Sequence, residues 1–279
     1  IVGEFEGGYV PFNFDISKYL KEGENILLVQ TDNTLNESSV PTQKTDWWPW
    51  GGIVGDVYIV ETPKQFIQNA YIQLNPENFS EVLFKLEINK KSAGHKIKLE
   101  IPELQFKAEY QTNSLGLVKE NIEINPQLWS PSSPKLYEVI ISSNAETISD
   151  EIGFRSIKTQ GQKIYLNDRE IKFKGIAMHS EPIGTPGPAF SKEHFQELLS
   201  TAKDLNINFI RAAHYPYTRH LAKVADRFGL MLWEEVPVYW NIDWNNSDTL
   251  NIAKNQIARL VQRDQNRASV VVWSVANET

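Results

Sequence analysis

The stretch Val270-Val271-Val272-Trp273-Ser274-Val275-Ala276-Asn277-Glu278 is apolar for most of its length and ends on an amide and a carboxylate. Such a run, without alternation, predicts a strand covered on both faces, as in a parallel sheet flanked by helices. The residues upstream agree. A helical period of Leu250, Ala253, Ile257, Leu260 and Val261 precedes it. Before that, residues 230–234 read as a strand. They follow a helix carrying Leu221, Val224, Ala225 and Phe228 that closes on Gly229, which suits a left-handed cap. Residues 208–212 read as another strand. They follow a helix with Phe195, Leu198, Leu199, Ala202 and Leu205, for which Ser191 is the expected N-cap. Residues 171–178 read as the first of four strands. Two folds fit this alternation, an open doubly wound sheet and a (β/α)8 barrel. No Gly-rich phosphate loop follows any of the strands, which weighs against the first.

Working back towards the N-terminus, the grammar changes near Ile157. Residues 163–166 and 170–173 flank Asn167-Asp168 and read as a hairpin. Earlier residues form short, alternating segments at 26–30, 57–61, 82–89, 96–101 and 137–142, punctuated by Asn, Gly, Pro and Ser. Their spacing is that of antiparallel sandwiches. A boundary is expected near Thr62-Pro63, and the next hundred or so residues have the length of one immunoglobulin-like β-sandwich without a disulfide. The expected fold is therefore multidomain, β plus α/β. Residues 1–62 are the end of a first β domain, 63–158 a β-sandwich, and 159–279 the first half of a (β/α)8 TIM barrel.

The 279 residues are 41% apolar, enough for a sizeable core, and 28 basic against 35 acidic residues give a net charge of −7. That balance offers no basic stripe for nucleic-acid phosphates. With no cysteine, disulfides and thiolate metal sites are excluded. No apolar run approaches the ~20 residues of a membrane helix. The chain opens at Ile1-Val2-Gly3 in what reads as mid-strand, so the true N-terminus and any targeting signal are expected upstream. The compartment is open, with a periplasmic or extracellular location favoured over the cytoplasm. Eight Trp and ten Tyr can serve as core or as faces that stack on sugar rings.

Polar residues gather at the C-terminal ends of the four strands: His179 and Glu181, Arg211 and His214, Glu234 and Glu235, Asn277 and Glu278. In a barrel these ends converge on one mouth, where active sites sit. Glycoside hydrolysis needs two carboxyl groups across the scissile bond, ~5 Å apart in a retaining enzyme. The acid must hold its proton near neutral pH, through burial or a neighbouring carboxylate. Glu278 suits that role, since it follows a buried strand beside a neutral amide; alone, it reads as well as a strand-end salt-bridge partner. Asn277 suits a sugar hydroxyl, or a turn. Arg211 suits holding a carboxylate, for chemistry or for stability alone. His179 and His214 suit sugar hydroxyls or a satisfied interior, and their spacing supports no metal site. Glu234 and Glu235 face opposite ways, so one of them points into the mouth. Trp233, Tyr239 and Trp240 suit a sugar platform or packing.

The residues also carry a resemblance. Asn208 to Pro216, followed by Ala225 to Trp233, resembles the first signature of glycoside hydrolase family 2, and Asn266 to Glu278 resembles the second. Trp50-Gly51-Gly52-Ile53 resembles the end of the family's sugar-binding jelly-roll domain. Leu128-Trp129-Ser130-Pro131 and Gly153-Phe154-Arg155 resemble the close of its immunoglobulin-like domain, and Lys174 to His179 its first barrel strand. Departures fall at Gly55, where Arg is frequent, at Ala222, where a larger apolar residue is usual, and at Gln265, where a basic residue is common.

The resemblance implies a jelly roll, an immunoglobulin-like sandwich and a barrel, in that order. It implies Glu278 as acid/base and Asn277 on the sugar 2-hydroxyl. His179, Arg211 and His214 would line the terminal-sugar subsite and Glu235 would be a pocket carboxylate; beside these, Tyr239 and Trp240 are the substrate-binding candidates read from the residues themselves. The nucleophile would be a glutamate of the seventh barrel strand, beyond Thr279, so the chain alone is expected to be inactive. The implied activity is that of a retaining, exo-acting β-glycosidase, on β-galactosides in preference to β-glucuronides. A non-catalytic carbohydrate binder is the alternative. The partner is an oligosaccharide or other glycoside, with no nucleic acid and no membrane insertion. No cofactor is expected, although the sequence leaves room for a structural or activating divalent cation. An open barrel edge predicts instability or homo-oligomers for this chain alone.

Overall fold

A computed structural model describes residues 1–279. Seven strands build a β-sandwich: β1 (Ile67–Asn75), β2 (Asn78–Ile88), β3 (Lys96–Ile101), β4 (Phe106–Gln111), β5 (Leu117–Glu123), β6 (Tyr137–Ser142) and β7 (Thr147–Ile152). They form two antiparallel sheets, β1-β2-β5 and β4-β3-β6-β7. The period of two places Val82, Phe84, Leu86 and Ile88 of β2 inward, where they meet Ile97, Leu99 and Ile101 of β3. Alternate residues such as Lys85 and Lys98 remain outside, so the alternation in the sequence is the division between core and solvent.

A three-stranded meander follows, of β8 (Ile157–Gln160), β9 (Lys163–Leu166) and β10 (Arg169–Ile171). The hairpin expected at Asn167-Asp168 is present, with φ of 52° and 62°, the two positive values of a tight two-residue turn.

The remainder alternates strand and helix: β11 (Gly175–Met178), α1 (Lys192–Asp204), β12 (Phe209–Ala212), α2 (His220–Phe228), β13 (Met231–Glu235), α3 (Ser247–Asp264) and β14 (Val270–Ser274). All pairings are parallel, in the order β11-β12-β13-β14. A doubly wound sheet reverses direction at a switch point, whereas this order advances one strand at a time, as a barrel wall does. Ser191 caps α1 by accepting from the His194 N–H at 3.3 Å. Gly229 closes α2 at φ 67°, and a Cβ there would lie 2.5 Å from the Pro131 carbonyl oxygen. The position therefore demands glycine for its backbone angle and for the close approach of the sandwich.

The sandwich and the barrel wall are joined by polar groups, many from the stretches that looked like family signatures. Asn266 accepts from the Ile72 N–H at 2.9 Å and donates to the Ala70 carbonyl at 2.8 Å, so its amide occupies the free edge of β1 as a partner strand would. Gln265 donates to Asn69 Oδ1 at 2.7 Å. Arg155 donates to the carbonyls of Ala268 and Val270 at 3.1 and 2.6 Å. Trp129, fully buried, donates its indole N–H to the Asp226 carbonyl at 2.8 Å. Arg267 pairs with Asp150 and, at 3.2 Å, with Asp226. Burial pushes the Asp226 carboxyl up to about 6 despite the pull of Arg267.

Residues 1–66 differ from the sequence reading. The strands expected at 26–30 and 57–61 are absent, and the region's single regular element is a 3-10 turn, Ser17–Tyr19. Both stretches are exposed, with Leu28 at 90% and Ile59 at 76%, and no second segment hydrogen-bonds alongside them. An apolar extended stretch becomes a strand only where a partner completes its ladder. No helix is long and apolar enough to cross a membrane.

Candidate functional site

The C-terminal ends of β11 to β14 meet at one mouth. Arg211 on β12 is the hub. Its Nη2 lies 3.0 Å from Glu235 Oε2 and 3.2 Å from Oε1, and its Nε lies 3.2 Å from Oε2. The same Nη2 reaches Asn277 Oδ1 at 2.6 Å, and the guanidinium sits 4.8 Å above the Trp233 ring. His214 contacts Glu235 through Nδ1. Glu235 is fully buried, and the Arg211 guanidinium supplies the charge that pairs with it, with His214 as a second contact.

The alternation of β13 settles which glutamate faces the mouth. Glu235 does, and Glu234 turns to the helix layer, where its carboxylate is buried 3.9 Å from Arg263 Nη2 and neither oxygen has a hydrogen-bond partner. Burial, then the neighbouring Asp264, pushes the Glu234 carboxyl well above the usual range.

The loop after β13 is laced to the end of β14. The Asn277 N–H donates to the Val238 carbonyl at 2.8 Å, and the Trp240 N–H to the Asn277 carbonyl at 3.1 Å. Tyr239 is buried and Trp240 is exposed, so of the three expected platform rings Trp240 is the one that stands out into solvent. Trp233 lies inside, under Arg211.

Glu278 is not buried as its position after an apolar strand suggested. The chain leaves the sheet at Ser274, Val275 is already 65% exposed, and Glu278 stands at the rim with φ 54°. Its Oε2 accepts from Trp240 Nε1 at 2.6 Å.

His179 is half-buried, and its Nδ1 has no partner. Burial is the main cause holding its pKa below the ordinary value, and it outweighs the opposite pull of Asp46. No group of three or more His, Asp or Glu side chains is arranged to hold a metal.

Two residues of the mouth were missed from sequence. Trp47 inserts among His179, His214, Tyr215 and Tyr239, with centroids at 6.2, 6.0, 5.3 and 4.9 Å, and donates to Tyr9 OH at 3.0 Å. Asp46 beside it faces Tyr239, whose phenol is pushed up, first by burial and then by this carboxylate. The signal was visible in Asp46-Trp47-Trp48-Pro49-Trp50, an aromatic run with one acid in a loop. Nothing local tied it to a barrel mouth encoded far downstream.

A family model described as "Glycosyl hydrolases family 2" matches residues 65–155, and one described as "Glycosyl hydrolases family 2, TIM barrel domain" matches residues 157–279. Among curated relatives, a putative beta-glucuronidase of Formosa agariphila is 29% identical over 98% of this chain and 34% of its own. A beta-galactosidase of Streptococcus thermophilus is 29% identical over the whole of this chain and 29% of its own. The chain thus spans about a third of the length of these relatives. The solved beta-glucuronidase of Lactobacillus rhamnosus shares the fold with a TM-score of 0.80 at 24% identity, over 98% of this chain and 50% of that one.

Proposed function

This chain belongs to glycoside hydrolase family 2, and we propose on that premise that it carries the acid/base side of a retaining, exo-acting β-glycosidase. Residues 1–62 belong in this reading to a jelly-roll domain, 63–158 to an immunoglobulin-like sandwich and 159–279 to the catalytic barrel. The order β1-β2-β5 over β4-β3-β6-β7 supports the immunoglobulin-like assignment, with the fourth strand moved from one sheet to the other relative to the constant-domain pattern.

The observation that carries the proposal is the network of Arg211, Glu235, His214 and Asn277 beside Glu278. A guanidinium only donates, so the atom of Asn277 facing it is oxygen, and Nδ2 is left to donate to the 2-hydroxyl of the terminal sugar. Glu235 holds Arg211 and His214 in place and is already paired with the Arg211 guanidinium, which suits it to support rather than attack. The nucleophile in this reading is a glutamate of a later barrel strand in the longer protein. It forms the bond to C1 as the C1–O bond breaks, while the Glu278 proton moves to the departing oxygen. Glu278 then takes a proton from water as that water displaces the enzyme carboxylate. Neither step calls on a cofactor.

A β-galactoside is the preferred substrate. Arg211 is engaged by Glu235 and Asn277 rather than held out to a substrate carboxylate, which favours a neutral terminal sugar at these four strand ends. The test uses the intact protein with aryl β-galactoside and aryl β-glucuronide. Hydrolysis of the first with retained anomeric configuration is expected. For Glu278→Gln, turnover of an unactivated glycoside is expected to fall by about 10³-fold; intact activity in that variant would remove Glu278 from the mechanism.

A further inference from the structure

Trp240 is the last of three rings in contact that lead out of the barrel mouth. Trp47 meets Tyr239 edge-on at 4.9 Å, and Tyr239 lies against Trp240 at 4.6 Å. The first two rings are 7% and 1% exposed, whereas Trp240 is 41% exposed. One side of this indole is therefore held from below and the rest is open. The backbone holds it too, through the Trp240 N–H on the Asn277 carbonyl at 3.1 Å. Trp240 has φ 50° and Glu278 has φ 54°. Both adopt the left-handed region that side-chain-bearing residues usually avoid, as happens where a site over-determines its backbone.

The indole Nε1 donates to Glu278 Oε2 at 2.6 Å. That contact engages one carboxyl oxygen and leaves Oε1 to carry the proton for transfer. In a retaining glycosidase the acid delivers its proton to the glycosidic oxygen, so its carboxyl group lies on the leaving-group side of the scissile bond. A ring in contact with that carboxyl group and open to solvent lies where the leaving group must pass.

We infer that Trp240 forms the floor of a leaving-group subsite that takes a pyranose ring, so that the substrate bears a sugar rather than a small alkyl group beyond the scissile oxygen. This rests on the reading of Glu278 as acid/base. The C–H face of a pyranose is apolar and flat enough to cover an indole, and covering it removes exposed aromatic surface from water. The contact with Tyr239, itself packed on Trp47, fixes the ring beforehand, so little conformational freedom is lost on binding. Trp240 has two separable parts, a ring face for the leaving sugar and an N–H that positions Glu278.

The experiment compares a disaccharide with the methyl glycoside of the same terminal sugar, in the intact protein and its Trp240→Phe, Trp240→Leu and Trp240→Ala variants. Both substrates need the acid, and only the disaccharide has a ring to stack. Trp240→Ala and Trp240→Leu are expected to lower kcat/KM for the disaccharide about tenfold more than for the methyl glycoside, chiefly through KM. Trp240→Phe is expected to keep that substrate preference and to lower kcat on both substrates equally, because it keeps a ring and loses the N–H. Equal losses on the two substrates in Trp240→Ala and Trp240→Leu would overturn the subsite. Lack of turnover of either substrate by the unaltered protein would instead overturn the glycosidase reading itself. A thermal melt of each variant separates misfolding from lost contact, and Trp240→Leu preserves apolar bulk should Trp240→Ala fail to fold.

Discussion

Arg211 Nη2 lies 2.6 Å from Asn277 Oδ1 while the same guanidinium grips the fully buried Glu235 at 3.0 Å. One cation thereby orients the amide proposed to read the sugar 2-hydroxyl and neutralises the carboxylate beneath it. Arg211→Met would strand Glu235 as a buried charge with His214 alone. The expected cost is about 3 kcal/mol in urea unfolding. Arg211→Met with Glu235→Gln should recover most of that stability and none of the lost kcat/KM. Recovery of activity in the double variant would show that the amide does not depend on Arg211.

His179 gives a pH dependence whose sign follows from its surroundings. Burial holds its folded pKa below the ordinary 6.5, so the unfolded chain binds the proton more readily. The contribution to stability is present above the unfolded pKa and is lost as pH falls through the folded one. His179→Phe should therefore narrow the difference in Tm between pH 7.5 and pH 5.5. An unchanged difference would mean that His179 protonates without strain.

Glu234 and Glu235 are neighbours with opposite duties. The folded pKa of Glu234 is raised by burial and by Asp264, against the pull of Arg263, so its contribution to stability is lost as pH rises through that value. Glu234→Gln should preserve kcat/KM within about twofold and gain about 1 kcal/mol at pH 8.5, because it removes a buried carboxylate with no hydrogen-bond partner. Parallel measurement of Glu235→Gln should show the reverse, with activity falling.

Asn266 tests the joint between sandwich and barrel. Asn266→Ala leaves the Ile72 N–H and the Ala70 carbonyl without their partner at the edge of β1, at an expected cost of about 2 kcal/mol in urea unfolding. Asn266→Asp keeps the acceptor and loses the donor, and should fall between. Turnover per folded molecule should be unchanged in both, since these contacts lie in the joint.

Much of the site was legible because barrel chemistry sits at strand ends, and strand ends can be read from periodicity. Arg211, His214, Glu235 and Asn277 are brought together as that reading expected. Glu278 reaches the rim, where it is exposed among the residues of this chain. Tyr239 and Trp240, adjacent and chemically alike, part company because one ring packs inside against Trp47 and the other lies on its outer side. Asp46 and Trp47 were missed because their partners lie in the barrel, far along the chain.

The sequence by itself determined the four strands and three intervening helices of the barrel part, the Ser191 and Gly229 caps, the hairpin at Asn167-Asp168 and the alternating core of the sandwich. Each depends on residues within a turn or two of one another, so the local pattern suffices. The tertiary structure alone decided the one-by-one strand order that distinguishes a barrel wall from a doubly wound sheet, and the choice of Glu235 over Glu234 at the mouth. It also turned Asn266 and Arg267 of the signature stretch into a joint with the sandwich, and left residues 26–30 and 57–61 without a ladder. Those outcomes depend on which distant segments meet, and a hydrogen bond or a buried charge exists only once both partners are in place.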